Sequence, residues 1–344
     1  MSCVTVGLVV NSASGHDIRR LVSAATVVDN SEKGAMVVRL LAGLRSAGVD
    51  RVLAMPTDRM VVSTMRRLMR QVSLQHGDQF PTLEWLDFRP QLTASDTLRA
   101  LDLMVESGVS AVCVLGGDGT QRLTADILGD IPLAAVSTGT NNVFPPWAEP
   151  TTAGIAAGLV AAGAVPIEAG CVREHGMVVE CAGRRETALV DVGVSTHPWI
   201  GARALWDVQD LTEVAVVFTD PAAIGLSAIA AAVYDAPRGE PGGVLVRLAP
   251  LRHAVHVVHV PLVPGIVTPV GIADVTPIPF GETVGLDMVA GTLTVDGERE
   301  VPRSAGVPAT VRIGLGPLRI DVSRTLVHAA HARGDATLTQ RPGR

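Results

Sequence analysis

Lysine is almost missing from this chain: Lys33 stands alone among the arginines. That scarcity removes a mechanism. A Walker-type phosphate loop needs Gly-x-x-x-x-Gly-Lys-[Ser/Thr], and Lys33 has no such surroundings. A phosphate site here has to use backbone N–H groups, arginine and a divalent metal. Aromatic residues are also few, with one Tyr and five Phe, which argues against the stacking platforms of RNA-binding modules. The four cysteines, Cys3, Cys113, Cys171 and Cys181, form no Cys-x-x-Cys pair and read as small core residues in a reducing compartment. No segment reaches the about 18 uninterrupted apolar residues of a membrane span. The N-terminus lacks a basic region ahead of its apolar run, so no signal peptide is expected. The expectation is a soluble, cytoplasmic protein. A formal charge of -6 gives no general reason to bind nucleic acid or an acidic membrane surface.

What is present is aliphatic. Apolar residues make up 47% of 344, and they are mostly Ala, Val, Leu and Ile with abundant Gly. Such a mix suits buried parallel strands covered by Ala-rich helices. The length predicts two domains of about 150 residues each. Residues 4–10, 51–55, 83–88, 109–115 and 133–137 read as strands. They alternate with helical patterns at 32–47, 58–72, 94–107 and 121–128, with Ser31 as an N-cap and Thr93-Ala94-Ser95-Asp96 as a capping box. That alternation predicts a doubly wound, Rossmann-like α/β domain over residues 1–145. A Gly/Ala-rich connecting helix follows at 151–163. Strand-like segments at 177–181, 187–192, 214–218, 244–248, 254–260, 293–295, 310–313 and 319–322, with helices near 199–209 and 222–234, predict a β-rich domain over 146–333. The polar residues 334–344 read as a flexible tail.

Gly116-Gly117-Asp118-Gly119-Thr120 lies between the strand at 109–115 and the helical pattern that follows. An open α/β sheet binds ligands outside the carboxyl ends of its strands. Glycines there let the backbone approach phosphate oxygens, and a helix start adds unpaired N–H donors. Asp118 is the unusual member, because a carboxylate beside a phosphate is repulsive unless it binds a metal or takes a proton from an attacking hydroxyl. A tight turn with an Asp helix cap is the plainer alternative. A second loop, Thr138-Gly139-Thr140-Asn141-Asn142, follows the next strand and suits a ribose or phosphate contact, although an Asx or Ser/Thr turn would look the same. Two such loops on consecutive strands converge on one crevice.

These residues resemble a known superfamily. Residues 116–120 match the Gly-Gly-Asp-Gly-Thr signature of NAD kinases, diacylglycerol kinases and sphingosine kinases, and residues 138–142 resemble their second nucleotide loop. Asn11-Ser12-Ala13-Ser14-Gly15 is similar to their first-strand Asn-Pro-x-Ser-Gly loop, with Ser12 in place of Pro. Asp296-Gly297-Glu298 resembles the late Asp-Gly-Glu turn that returns to the nucleotide. With Ser31-Glu32-Lys33, the whole looks most like the acetoin-catabolism protein X branch of the NAD kinase group.

The resemblance implies an ATP-dependent kinase that phosphorylates a hydroxyl of a small molecule, with a cleft between the two domains. It implies Asp118 as general base, with Mg²⁺ neutralising the phosphates of ATP. Nucleotide contacts would fall to Asn11, Gly116, Gly117, Gly119, Thr120, Thr138, Gly139, Thr140, Asn141, Asn142, Asp191, Asp296, Gly297 and Glu298. NAD(H) is the leading acceptor by superfamily, yet two departures speak against it. The Asn of the Asn-Glu or Asn-Asp pair that holds the nicotinamide ribose has become Val190, with Asp191 retained. The Thr-Gly-Ser-Thr-Ala-Tyr segment is replaced by Pro221-Ala222-Ala223-Ile224-Gly225-Leu226 before Ser227-Ala228. A lipid or sphingoid kinase and a non-catalytic nucleotide-binding regulator linked to acetoin catabolism are the alternatives. Assembly into a homo-oligomer is left open.

Three local features carry competing readings. Asp296-Gly297 between β-branched runs is a type I′ hairpin signal whether or not it also serves a site. His253, His256 and His259 suggest a metal, but strand alternation separates His256 from the other two, and about 20 Å would separate those. They read as structural or surface residues. Lys33 at a helix start opposes the helix dipole, which hints at a phosphate contact, with a solvated lysine as the plainer alternative.

Overall fold

The computed structural model describes residues 3–14, 28–138, 142–198, 208–297 and 299–339. The first half alternates as β1 (Thr5–Val10), α1 (Asn30–Ser46), β2 (Arg51–Ala54), α2 (Arg59–His76), β3 (Thr82–Trp85), α3 (Ala94–Glu106), β4 (Ala111–Gly116), α4 (Asp118–Arg122) and β5 (Leu133–Ser137). β1 and β4 are buried along their whole lengths, as strands covered on both faces should be. The five strands pair in parallel in the order β3-β2-β1-β4-β5. This is the expected doubly wound arrangement. Strand order reverses between β1 and β4, and beyond the carboxyl ends at such a reversal open α/β sheets bind their ligands.

Local chemistry starts the helices. Asp29 caps α1 by accepting the Glu32 N–H at 2.8 Å, so the expected cap Ser31 lies inside the helix, where its hydroxyl meets Thr64. At α3 the Asp96 carboxylate reaches back to the N–H groups of Gln91, Leu92 and Thr93. Cys113 lies in the core of β4, and burial pushes its thiol up to about 12. Cys171 and Cys181 are buried too, but Cys3 is exposed, unlike the core residue expected.

The second half continues with α5 (Pro150–Ala161), α6 (Ile167–Gly170), β6 (Cys171–Cys181), β7 (Arg184–Ala188), β8 (Asp191–Ser195), β9 (Leu211–Val216), α7 (Leu226–Ala231), β10 (Gly243–Leu248), β11 (His256–Val263), β12 (Ile266–Ile278), β13 (Thr283–Leu286), β14 (Gly291–Val295), β15 (Arg299–Arg303), β16 (Ala309–Ile320) and α8 (Val322–Thr339). Among the described residues a seven-stranded antiparallel sheet runs β11-β12-β10-β9-β8-β14-β15. Its inner face, with Val192, Val194, Ala215, Leu293 and Val295, packs on Met177, Val179, Val311 and Ile313 of the first sheet.

Several elements differ from the sequence reading. Residues 187–192 do not form one strand: β7 belongs to the first sheet and β8 to the second, and the chain crosses at Leu189-Val190. The two strands expected at 310–313 and 319–322 are one, β16, with a register irregularity between Leu315 and Leu318 around Pro317, which has no N–H to donate. β16 pairs in parallel with β5 and antiparallel with β6, so it lies inside the sheet of the N-terminal half. β12, which the strand pattern above lacks, carries Pro269 and Pro277, two residues with no N–H for a ladder. The helix expected at 222–234 is shorter, and most of the one expected at 199–209 lies outside the described residues. α8 continues to Thr339, beyond the start of the expected tail.

Candidate functional site

Three loops leave the carboxyl ends of β1, β4 and β5, and hydrogen bonds tie them together. The Asn11 N–H donates to Leu115 O at 3.0 Å, and the Thr138 N–H to Gly116 O at 3.2 Å. Asn11 Nδ2 donates to Thr120 Oγ1 at 2.7 Å, and its Oδ1 accepts the Ala13 N–H. The hydroxyls of Ser14 and Thr138 meet at 2.9 Å. Asn142 Nδ2 donates to Ser137 Oγ at 2.7 Å. Thus Asn11, Gly116, Gly117, Gly119, Thr120, Thr138 and Asn142 gather at the switch between β1 and β4. Gly139, Thr140, Asn141 and Glu298 lie outside the described residues.

Helix α4 begins at Asp118, three residues before the helical pattern expected from 121. Its N-cap is Gly117, so Asp118 is not the cap. The half-buried carboxylate crosses to the exit of the second loop. Oδ1 accepts the N–H groups of Val143 (3.1 Å) and Phe144 (2.9 Å), and Oδ2 accepts Val143 N–H at 3.0 Å. Thr120 is buried against Gly116 and shares its hydroxyl with Asn11, so it fixes the spacing of the first two loops.

Lys33 is neither solvated nor directed outward. It is fully buried, and its Nζ donates to Ser12 O at 3.0 Å, Ser14 O at 2.7 Å and Asn30 Oδ1 at 3.3 Å. The ammonium therefore ties the first loop to α1 from behind.

The late hairpin forms as expected. Asp296 and Gly297 have φ of 49° and 68°, but Val295 pairs with Arg299, so the connection is three residues rather than two. Asp296 is buried, and its Oδ1 accepts the N–H groups of Leu189 (3.1 Å), Val190 (2.8 Å) and Asp191 (3.1 Å), while Oδ2 takes Leu189 at 2.9 Å. These are the amides at the crossing between sheets, where no ladder partner serves them. Burial pushes the Asp296 carboxyl above its usual range, opposed by the Leu189 N–H and the positive charge of Arg122. Arg122 of α4 also pairs with Glu186 of β7 at 3.2 Å, which docks the first glycine loop against the second half. Asp191 is buried beside the same crossing. Asp296 thus holds the backbone at the crossing between the sheets.

One residue packed against this site has no signal in the sequence. Arg238, in the loop between α7 and β10, lies with its guanidinium carbon 5.2 Å from the Phe144 ring centroid and 4.3 Å from that of Phe218. Its Nη2 donates to Phe144 O at 2.6 Å. Nothing in Ala236-Pro237-Arg238-Gly239 announces this, since only the fold brings the loop there. The three histidines are all exposed; His253 closes a 3₁₀ turn, while His256 and His259 are in β11.

Residues 6–165 match the ATP-NAD kinase N-terminal domain, and residues 175–315 match the acetoin catabolism protein X C-terminal domain. An acetoin catabolism protein X of Cupriavidus necator is 38% identical over 331 residues, covering 94% of this chain and 92% of that protein. With both halves matched and nearly full coverage, the chain belongs to the acetoin catabolism protein X family, with an N-terminal half of the NAD kinase type.

Proposed function

We propose that this protein is an ATP-dependent phosphotransferase acting on a hydroxyl of a small molecule. The supporting observation is the convergence of the loops after β1, β4 and β5 at the strand-order switch, with Asp118 at the first position of α4. Backbone N–H groups and small polar side chains there suit phosphate oxygens. Asp118 takes the proton of the acceptor hydroxyl as its oxygen attacks the terminal phosphorus, while the bond from that phosphorus to the bridging oxygen breaks and ADP leaves. An ionised carboxylate has about four lone-pair sites, so bonds from two amides do not exhaust it as an acceptor. Those bonds orient it.

Mg²⁺ supplies charge neutralisation when bound with ATP. Among the described residues no group of three or more His, Cys, Asp or Glu could hold an ion by itself. Mg²⁺ bound with a nucleotide keeps its waters and takes few protein ligands beside substrate phosphates, so Asp118 would be the carboxylate nearest to it.

NAD(H) is the first acceptor to test, on the strength of the matched N-terminal domain. We expect its phosphorylation to be slow or absent. Val190, where the superfamily carries a ribose-binding Asn, is buried among Leu189 and Phe144. Ala222–Leu226 likewise offers no hydroxyl or Tyr. Each lost hydrogen bond to a buried polar group costs about 1–3 kcal/mol, so two or three losses weaken a dinucleotide by orders of magnitude. The test follows labelled ATP into NAD, NADH and short hydroxy metabolites, scoring NADP beside ADP. Efficient NADP formation saturating at low NAD would show an ordinary NAD kinase with other contacts.

A second reading takes its support from the bonds at Asp118. Its carboxylate could serve only to hold Val143 and Phe144 in a catalytically silent nucleotide sensor. ATP binding with no phosphorylated product across the panel would favour that reading.

A further inference from the structure

The backbone of Phe144 is gripped from both sides. Its N–H is held by Asp118 Oδ1 at 2.9 Å, and its C=O accepts Arg238 Nη2 at 2.6 Å. Val143 repeats the pattern, with its N–H on Asp118 and its C=O 3.5 Å from Arg238 Nη2. The Phe144 ring is fully buried and lies under the same guanidinium, with Phe218 on the other contact. Asp118 comes from the first half of the chain, and Arg238 from the half that matches acetoin catabolism protein X.

Arg238 is itself anchored. Its Nε lies 3.4 Å from Glu174 Oε2, and Glu174 Oε1 accepts Arg319 Nε of β16 at 2.5 Å. Glu174 is buried, so its charge needs both arginines. Asp118 is among the charges acting on Arg238, after Glu174 and Arg319. A chain of contacts thus runs from β16 through Glu174 and Arg238 to the dipeptide on which Asp118 rests.

We propose that Arg238 is the positioning residue of Asp118: it fixes Val143-Phe144, and through their amides the carboxylate, so that the C-terminal half sets the geometry of the base. The inference rests on the phosphotransferase reading for its effect on rate, and on the hydrogen bonds alone for its effect on the dipeptide.

The experiment uses the full chain with Arg238→Met, Arg238→Lys, Asp118→Asn and the double variant Arg238→Met/Asp118→Asn. MgATP turnover with an acceptor found by the screen is one readout. Amide hydrogen exchange at Val143 and Phe144 is the other. A displacement near 1 Å costs on the order of 100-fold in rate, so kcat of Arg238→Met should fall about 10–100-fold with KM for ATP little changed. Arg238→Lys, which keeps the charge and one donor, should recover part of that loss. The double variant should be little slower than Asp118→Asn alone, because Arg238 acts through the aspartate. Exchange at the two amides should accelerate in Arg238→Met while other core amides stay protected. Unchanged kcat, or effects that multiply in the double variant, would overturn the proposal. If no acceptor supports turnover in the unaltered protein, the phosphotransferase reading fails, and unaltered exchange at Val143 and Phe144 would then overturn the positioning claim on its own. If Arg238→Met does not fold, the same comparisons are made with Arg238→Lys, whose kcat should lie between those of the unaltered protein and Asp118→Asn and whose exchange at Val143 and Phe144 should exceed that of the unaltered protein; unchanged kcat and exchange would overturn it.

Discussion

Asp118 and Asp296 do the same mechanical thing in different settings. Each carboxylate gathers backbone N–H groups from a segment distant in sequence: Val143-Phe144 for the first, Leu189 to Asp191 for the second. Asp118 is half-buried at the carboxyl end of β4, whereas Asp296 is enclosed at a sheet crossing. On the proposed function, the same bonds orient a base in one place and satisfy a fold's leftover amides in the other. A conspicuous Asp-Gly in the sequence does not say which role it has; the surroundings of the carboxylate do.

Asparagine in place of each aspartate should separate the roles most clearly. Asp118→Asn keeps an oxygen for both amides, so stability should change little. Turnover should fall roughly 10²–10⁴-fold, the usual worth of a positioned base, with ATP affinity unchanged or tighter. Steady-state rates beside calorimetric binding check this, and retained turnover would end the base assignment.

Asp296 should respond in the opposite way. Asp296→Ala leaves the amides of Leu189, Val190 and Asp191 without their acceptor, at about 1–3 kcal/mol each, so denaturant midpoints should drop sharply. Asp296→Asn retains the oxygen that serves all three but turns an NH₂ towards Leu189 N–H, and should cost about 1–3 kcal/mol. ATP affinity of the folded fraction should be kept.

Acidity sharpens the contrast further. Burial raises the folded carboxyl of Asp296 above its unfolded value. Its contribution to stability is then complete below the unfolded value and is lost as pH rises through the folded one. Measured against Asp296→Asn, the unaltered protein should be relatively more stable in acid and lose that advantage as pH climbs. A constant difference between the two across that range would contradict the raised carboxyl.

The neighbouring glycines give the smallest effects. A Cβ on Gly116 would fall 2.5 Å from Thr120 Cβ, so Gly116→Ala must displace the hydroxyl that meets Asn11 and should weaken ATP binding. At Gly297 a Cβ meets nothing within 4 Å, but φ is 68°, so Gly297→Ala should cost only about 1–2 kcal/mol of stability. Equal losses of ATP affinity in the two variants would show that the late turn also serves the nucleotide.

Much of the first half was legible because its signals are local. The alternation of buried β-branched runs with capped helices predicted the doubly wound α/β arrangement, and Gly116-Gly117-Asp118-Gly119-Thr120 marked the end of β4. The second half was less legible because tertiary pairing overrode local pattern. Pro269 and Pro277 lie within β12, the run at 187–192 is cut where Asp296 captures its amides, and Pro317 lies within β16. Lys33 was visible as an oddity, but its burial and its carbonyl partners were not. Arg238 carried no sequence signal, since its role depends on Phe144 and Glu174, distant along the chain.

The late arrival of β16 also bears on how the chain is made. β5 emerges with one edge open, and the strand that closes it, Ala309–Ile320, lies in the last tenth or so of the sequence. At about 5–20 residues per second, the interval between Ser137 and Ala309 is on the order of 10–30 s. Throughout it the sheet carrying the glycine loop offers an unpaired edge, the kind of surface that templates association between chains. The N-terminal half is thus a nearly continuous unit in sequence that cannot finish folding until the protein is almost complete. Released chains ending at residue 308 and at residue 339 should differ abruptly in protease resistance of β1–β5.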